Sequence, residues 1–222
     1  SITDVYCDMT THKSSDPNDA NYWDGQGFKE GKATLFHVSN ASPWNTSYQS
    51  TPSANCTFQG NLLAGSAVVW IKDGTKITLR GFGAMRDYAK NSDSYRMTWS
   101  DITQIDIEEG ITHIGNYAFI DKASLTSVNI PASVTSIGMG AFQNNQALAT
   151  VTFAQNSRLT IIGEDAFKDC HTTDFTITIP ESLETIGDNA FNYCRLTNIT
   201  IPSSVKTIGY HAFYDCTNLT SV

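Results

Sequence analysis

The stretch SLETIGDNAFNYC (Ser182–Cys194) returns almost unchanged as SVKTIGYHAFYDC (Ser204–Cys216). The two phrases share isoleucine-glycine, then alanine-phenylalanine, then a closing cysteine. Moving outward, Ile-Gly recurs at Ile114, Ile137, Ile162, Ile186 and Ile208, and Ala-Phe ends at Phe119, Phe142, Phe167, Phe191 and Phe213. Register at this period over five units is the mark of a stacked-repeat architecture. The units run Ile102–Ser124, Leu125–Ala147, Leu148–Asp174, Phe175–Arg195 and Leu196–Asn218, and a stub, Leu219–Val222, opens a sixth.

Within one unit, LTSVNIP (Leu125–Pro131) places Leu125, Val128 and Ile130 inward, with Ser127 and Asn129 alternating outward as on a half-buried strand. Pro131, Pro180 and Pro202 lack the amide hydrogen that a strand ladder requires. A second extended piece ends at the Ile-Gly glycine, which reads as a turn residue of positive φ. The Ala-Phe-x-x-Cys piece reads as one helical turn with Ala and Phe inward. A unit this small cannot bury its apolar stripe alone, but stacked units share one core. The reading is a right-handed leucine-rich-repeat solenoid, a short strand plus a helical turn per unit.

These residues resemble the BspA-like, or Treponema-type, leucine-rich repeats, whose pattern is roughly LxxVxIPxxVxxIGxxAFxxCxxL. The resemblance covers Ile102–Val222, and upstream VVWIKDGTKITLRGFGAMRDY (Val68–Tyr88) followed by Trp99 is similar to the segment that often precedes such arrays. It departs at FAQNSR (Phe153–Arg158), at the Asp174-Phe175 entry of unit four, and at Lys122 and Asn145, which stand where Cys is expected. The resemblance implies a secreted or cell-surface protein that binds proteins, glycans or other cells. The competing class is a structural subunit of an extracellular fibre or layer, assembled head to tail. The stub gives two expectations of its own: a fragment of a longer array, or an open end that self-associates with another subunit, with residues 1–60 as the partner surface.

Cys170, Cys194 and Cys216 share one position, each three residues after Phe, and read as a buried ladder of small apolar groups. No CxxC pairing offers a metal site, and neither metal nor cofactor is expected. Cys7 and Cys56 lie outside the array. In a surface family and a loop-rich setting they are expected to close one disulfide, the alternative being two unrelated buried thiols.

Residues 1–101 read as a small all-β region that caps the array. Its strand-forming runs are Ala33–Ser39, Cys56–Gly60, Ser66–Ile71 and Thr75–Gly81, the last two a hairpin turning at Asp73-Gly74. Five Asn-x-Ser/Thr sequons, at Asn40, Asn45, Asn55, Asn198 and Asn218, are candidate glycosylation sites if the source glycosylates secreted proteins.

Charge excludes some partners. Of a net −8, residues 102–222 carry twelve acidic against five basic residues, a net of −7. Such a surface repels nucleic acid and anionic membranes. The longest apolar stretch, Leu62–Ile71, is too short to span a bilayer. The chain begins at Ser1 without a leader, so a secretory signal was either removed or never present.

Catalytic signatures are missing. DPNDANYWDG (Asp16–Gly25) clusters carboxylates but lacks the spacing and closing Glu of a calcium loop. His12, His37, His113, His171 and His211 show no paired spacing, and His113 and His211 fall at variable, surface-type positions. An enzyme is not expected. The candidate binding surface is the outward side of the strands, with Ser127, Asn129, Thr150, Thr152, Thr176, Thr178, Asn198 and Thr200 as the residues presented. It holds small hydroxyls and amides rather than the aromatic and Arg anchors of tight interfaces.

Overall fold

The computed structural model describes residues 4–6, 33–35, 49–51, 58–61, 66–90, 100–173 and 175–221, with backbone only for the strands before residue 66 and most of the one that follows. Strands β1 (Asp4–Tyr6), β4 (Phe58–Asn61) and β5 (Ser66–Asp73) precede β6 (Lys76–Ala84), while β2 (Ala33–Leu35) and β3 (Gln49–Thr51) form a separate pair. All four expected upstream runs contain a strand. The β5–β6 hairpin turns through Gly74 and Thr75, and Gly74 takes a φ of +57° that suits a residue without Cβ.

Two parallel ladders grow from β6. Its first half pairs β7 (Gln104–Ile107), followed by β9 (Ser127–Ile130), β11 (Thr150–Phe153) and β13 (Thr176–Ile177). Its second half pairs β8 (Ile111–Ile114), followed by β10 (Ser136–Ile137), β12 (Ile161–Ile162), β14 (Thr185–Ile186) and β15 (Thr207–Ile208). The solenoid is therefore a stack of rungs, and each rung has two strand sides and a third side made of turns. Register runs back past Ile102: Ile77 sits opposite Ile105, Ile105 opposite Val128, and Val128 opposite Val151.

One continuous core fills the stack. Phe119, Phe142, Phe167 and Phe191 are fully buried. With Phe213 they form a column whose ring centroids lie 5.2, 5.3, 5.5 and 5.4 Å apart, with planes within 15° of parallel. That spacing is a little above the roughly 4.8 Å between hydrogen-bonded strands, so one repeat per rung brings identical rings into a stack.

The expected helical turn is absent, and no helix occurs among the described residues. The Ala-Phe segment is a run of tight turns. Two residues per rung there sit in the left-handed region: Tyr117 and Asp121, Gly140 and Asn144, Asp165 and Asp169, Asn189 and Tyr193, His211 and Asp215. A left-handed residue every fourth position breaks any right-handed helix. It also turns alternate amides toward the next rung. Tyr117, Phe119 and Asp121 donate to the carbonyls of Met139, Ala141 and Gln143 at 2.8, 2.8 and 3.0 Å. The amides between them close turns within the rung, as Ala118 does to Gly115 at 3.2 Å. The third side is thus tied between rungs nearly as regularly as the strands.

The Ile-Gly glycine also differs from expectation. None of Gly115, Gly138, Gly163, Gly187 or Gly209 has a positive φ. They are needed for close approach instead. A Cβ on Gly187 would lie 2.6 Å from the Glu164 nitrogen and 2.6 Å from the Gly163 carbonyl carbon, both backbone atoms.

Candidate binding surfaces and the repeat family

The strand side built on β7, β9, β11 and β13 carries the residues expected to bind. Ser127 stands opposite Gln104 and Thr150, and Thr150 opposite Thr176. Asn129 stands opposite Asp106 and Thr152. The buried column Ile105, Val128, Val151 and Ile177 runs between these two polar columns. Asn129, Thr150, Thr152, Thr176, Thr178, Asn198 and Thr200 are exposed, whereas Ser127, Thr103, Gln104, Asp106 and Ala149 are only half-exposed. Asn198 and Asn218 are exposed, and the other sequons, together with Cys7, Cys56 and Asp16–Gly25, lie outside the described residues.

Two of these hydroxyls, and others on the same side, already have work within the stack. The Thr126, Thr176 and Thr220 hydroxyls donate to the carbonyls of Thr103, Ala149 and Thr197, one rung earlier, at 2.9, 3.2 and 3.0 Å. The Thr152 hydroxyl lies 3.0 Å from the Asn129 side-chain oxygen. At the β6 end, Lys76 pairs with Asp106 at 2.5 Å and Arg80 forks onto Glu108 at 2.7 and 2.6 Å. Burial works to raise the Asp106 carboxyl, but the Lys76 ammonium and the Gln104 amide outweigh it and hold it below the usual range.

The cysteine ladder is buried and its thiols are free. Cys170, Cys194 and Cys216 each donate to a phenylalanine carbonyl of the preceding rung: Phe142 at 3.3 Å, Phe167 at 3.0 Å and Phe191 at 3.1 Å. Burial pushes the Cys170 thiol up to about 12 and raises those of Cys194 and Cys216. Protonated thiols are poor nucleophiles and poor metal ligands. Lys122 and Asn145 take the same buried position in the first two units. The Asn145 Oδ1 accepts the Lys122 amide at 2.7 Å, while its Nδ2 is buried without a partner.

His113 does not sit free on the surface as its position suggested. Its Nδ1 lies 2.7 Å from the Ser136 hydroxyl and its Nε2 3.3 Å from Asp87, so three side chains link three successive rungs. His211 is exposed, stacked 3.7 Å from Tyr210 and 4.5 Å from Tyr214 between ring centroids. Tyr193, Tyr210 and Tyr214 are 45%, 72% and 51% exposed. This cluster occupies the turn side, which sequence reasoning left aside. The same side holds half of the array's carboxylates: Asp121, Glu164, Asp165, Asp169, Asp188 and Asp215, against Lys168 alone among cations at the turn positions. A simple signal was available, since the two residues after each Ile-Gly and each Ala-Phe can be read off as one face.

Residues 90–220 match the sequence pattern of the BspA type leucine rich repeat region, in six copies. The chain belongs to the BspA-type leucine-rich repeat family. A leucine-rich repeat protein from Eubacterium ventriosum is similar at 30% identity, with a TM-score of 0.61 over 68% of this chain and 40% of that one. A leucine-rich repeat protein of T. pallidum is similar at 27% identity, with a TM-score of 0.51 over 65% of this chain and 62% of that one. A Bacteroides ovatus leucine-rich repeat protein shares the fold at 24% identity and a TM-score of 0.51, over 70% of this chain and 39% of that one. The chain therefore spans about two-fifths of the E. ventriosum and B. ovatus proteins. Among curated proteins, none matches it. No helix among the described residues is long and apolar enough to cross a membrane.

Proposed function

We propose that this BspA-type array is a non-catalytic binding and adhesion module, secreted or held at the cell surface, that recognises extracellular proteins or glycans. The observation that carries the reading is the pair of polar columns in register along one strand side, Asp106–Asn129–Thr152 and Gln104–Ser127–Thr150–Thr176, with Thr178, Asn198 and Thr200 exposed further along the chain. Parallel registry repeats the same donor and acceptor groups at strand spacing, which suits an extended or repetitive ligand. Ser127, Thr150 and Thr176 form the neighbouring column. In this proposal the strands upstream of residue 102 serve as the cap of the array, and Cys7 and Cys56 are linked there. Asn198 and Asn218 are accessible to glycosylation in a host that attaches glycans.

The test is binding to arrays of glycans and extracellular proteins, repeated with Asn129→Arg, Thr152→Arg and Thr200→Arg combined. Bulky cations on this side should abolish a strand-side interaction while leaving the core untouched. Undiminished binding by the triple variant would move the site elsewhere on the molecule.

A further inference from the structure

The exposed aromatic cluster and the acidic excess fall on the same side of the solenoid, and it is not the side assigned above. Tyr193 belongs to the fourth rung; Tyr210, His211 and Tyr214 belong to the fifth. Tyr193 and Tyr214 meet edge to face at 6.1 Å, next to the stacked Tyr210–His211–Tyr214 group. Asp188 and Asp215 flank the rings in sequence, and both are exposed. Exposure at the positions of Tyr193 and Tyr210 recurs in covered rungs, with Asp121 exposed at the first and Glu164 and Asp188 at the second, and Tyr193 stays 45% open even though its amide is bonded to the Tyr214 carbonyl of the rung stacked on it. Exposed aromatic groups of this size mark interaction sites more often than scattered surface residues do.

Charge chooses the occupant. Counting the two positions after each Ile-Gly and each Ala-Phe, the turn side carries six carboxylates and one ammonium, and that Lys168 lies 3.6 Å from Asp165. By contrast, the strand sides neutralise themselves through Lys76–Asp106, Arg80–Glu108 and Lys206–Glu184. The first rung shows how the turn side receives a cation. There the Lys90 ammonium sits 6.0 Å from the centroid of Tyr117, which occupies the same repeat position as His211. Burial, then Asp165 and Glu164, raise the Tyr117 phenol, so the acidic field reaches across rungs. Aromatic faces within an acidic field bind guanidinium and ammonium groups through the ring quadrupole and the net charge together.

We propose that the turn side of the fourth and fifth rungs docks a cationic segment of a partner protein, seating Arg or Lys side chains on Tyr193 and Tyr210 beside Asp188 and Asp215. The inference shares the binding-module reading but uses a separate surface, so either can fail without the other.

Fluorescein-labelled nona-arginine is the probe, titrated with the full chain and followed by anisotropy at low and physiological salt. It should bind, weaken as salt rises, and lose at least tenfold in affinity in the Tyr193→Ala, Tyr210→Ala variant, which keeps the net charge. Asp188→Asn with Asp215→Asn should weaken it at least threefold; the side-chain oxygen that remains after Asp188→Asn can still accept the Tyr210 amide, which Asp188 now accepts at 2.7 Å. The neutral strand-side variant Asn129→Ala, Thr152→Ala, Thr200→Ala should bind within twofold of the parent. Equal binding by the double tyrosine variant would reduce the effect to bulk charge and overturn the proposal. So would absence of binding, or capture of a neutral oligosaccharide by the same tyrosines in place of the peptide.

Discussion

The Sγ of Cys194 lies 3.0 Å from the carbonyl oxygen of Phe167, 27 residues earlier in the chain and one rung below. The thiol thus acts as a donor that satisfies a core carbonyl, besides filling volume. This dual role carries the first prediction. Burial raises the Cys170 thiol from 9.0 to about 12 and moves Cys194 in the same direction. The unfolded chain therefore loses these protons first as pH rises. The stability they contribute is complete below about pH 9 and is lost as pH climbs toward 12. Melting temperature measured from pH 7 to 11 should fall steeply for the native chain. In Cys170→Ala with Cys194→Ala the fall should be shallower, though the neutral-pH stability is lower. Parallel curves for the two proteins would refute the assignment.

Asn145 holds the ladder position but leaves a buried Nδ2 unpartnered. Asn145→Cys should stabilise the fold by about 1 kcal/mol, because an orphaned buried donor costs about 1–3 kcal/mol and a thiol can both accept the Lys122 amide and donate onward. Chemical denaturation reads this directly, and a lowered midpoint would count against it.

Gly187 and Gly74 should respond differently to alanine. Gly74 has open space around a would-be Cβ and a φ of +57°, so Gly74→Ala should cost only about 1 kcal/mol of backbone strain. Gly187→Ala presses a methyl group into the backbone of the neighbouring rung and should cost about 1–3 kcal/mol or more. Thermal melts of the two variants rank them, and equal losses would mean that the neighbouring rung gives way to the added methyl group.

Phe167 stacks between Phe142 and Phe191 at 5.3 and 5.5 Å and is fully buried. Phe167→Ala should cost about 3–5 kcal/mol and loosen both adjoining rungs. Hydrogen exchange should quicken at the amides of Asn144, Phe142 and Asp169 while those of β6 keep their protection. Uniform loss across the array would mean that the rungs unfold as one unit.

The solenoid was legible because its signal is redundant: Ile114, Phe119 and their counterparts recur in register, and each proved buried or nearly so except toward the fifth rung, where Ile208 is half exposed. What the sequence hid was backbone conformation. Of the nine left-handed non-glycine residues, six are Asn or Asp, which tolerate that region, but Tyr117, Tyr193 and His211 gave no hint of it. Four consecutive residues ending in Ala-Phe look helical by side-chain spacing alone, and only the neighbouring rung's carbonyls decide otherwise. The Ile-Gly glycine was recognised but given the wrong reason, since close approach between rungs is invisible within one rung. On the surface, the two polar columns followed from strand alternation, whereas the tyrosine cluster sits on a face that the repeat marks but at positions whose residue types change from rung to rung. His113 was misplaced for a similar reason: its partners, Asp87 and Ser136, lie 26 and 23 residues away in the chain.

Successive rungs are held together by similar backbone bonds, on three sides as far as the fourth rung. Between the fourth and fifth, among the described residues, these bonds lie on the second strand side and the turn side, and this has a mechanical consequence. A load applied along the chain meets a series of similar clasps rather than one large interlocked core. Rungs should then peel away in sequence, each releasing roughly 80 Å of extended chain for a unit of about 23 residues. Single-molecule pulling would show this as a sawtooth of evenly spaced ruptures, and one abrupt rupture of the whole array would contradict it. For a module that attaches one surface to another, such stepwise lengthening turns a sudden tug into a series of small ones, and the attachment can outlast shear that would break a rigid tether.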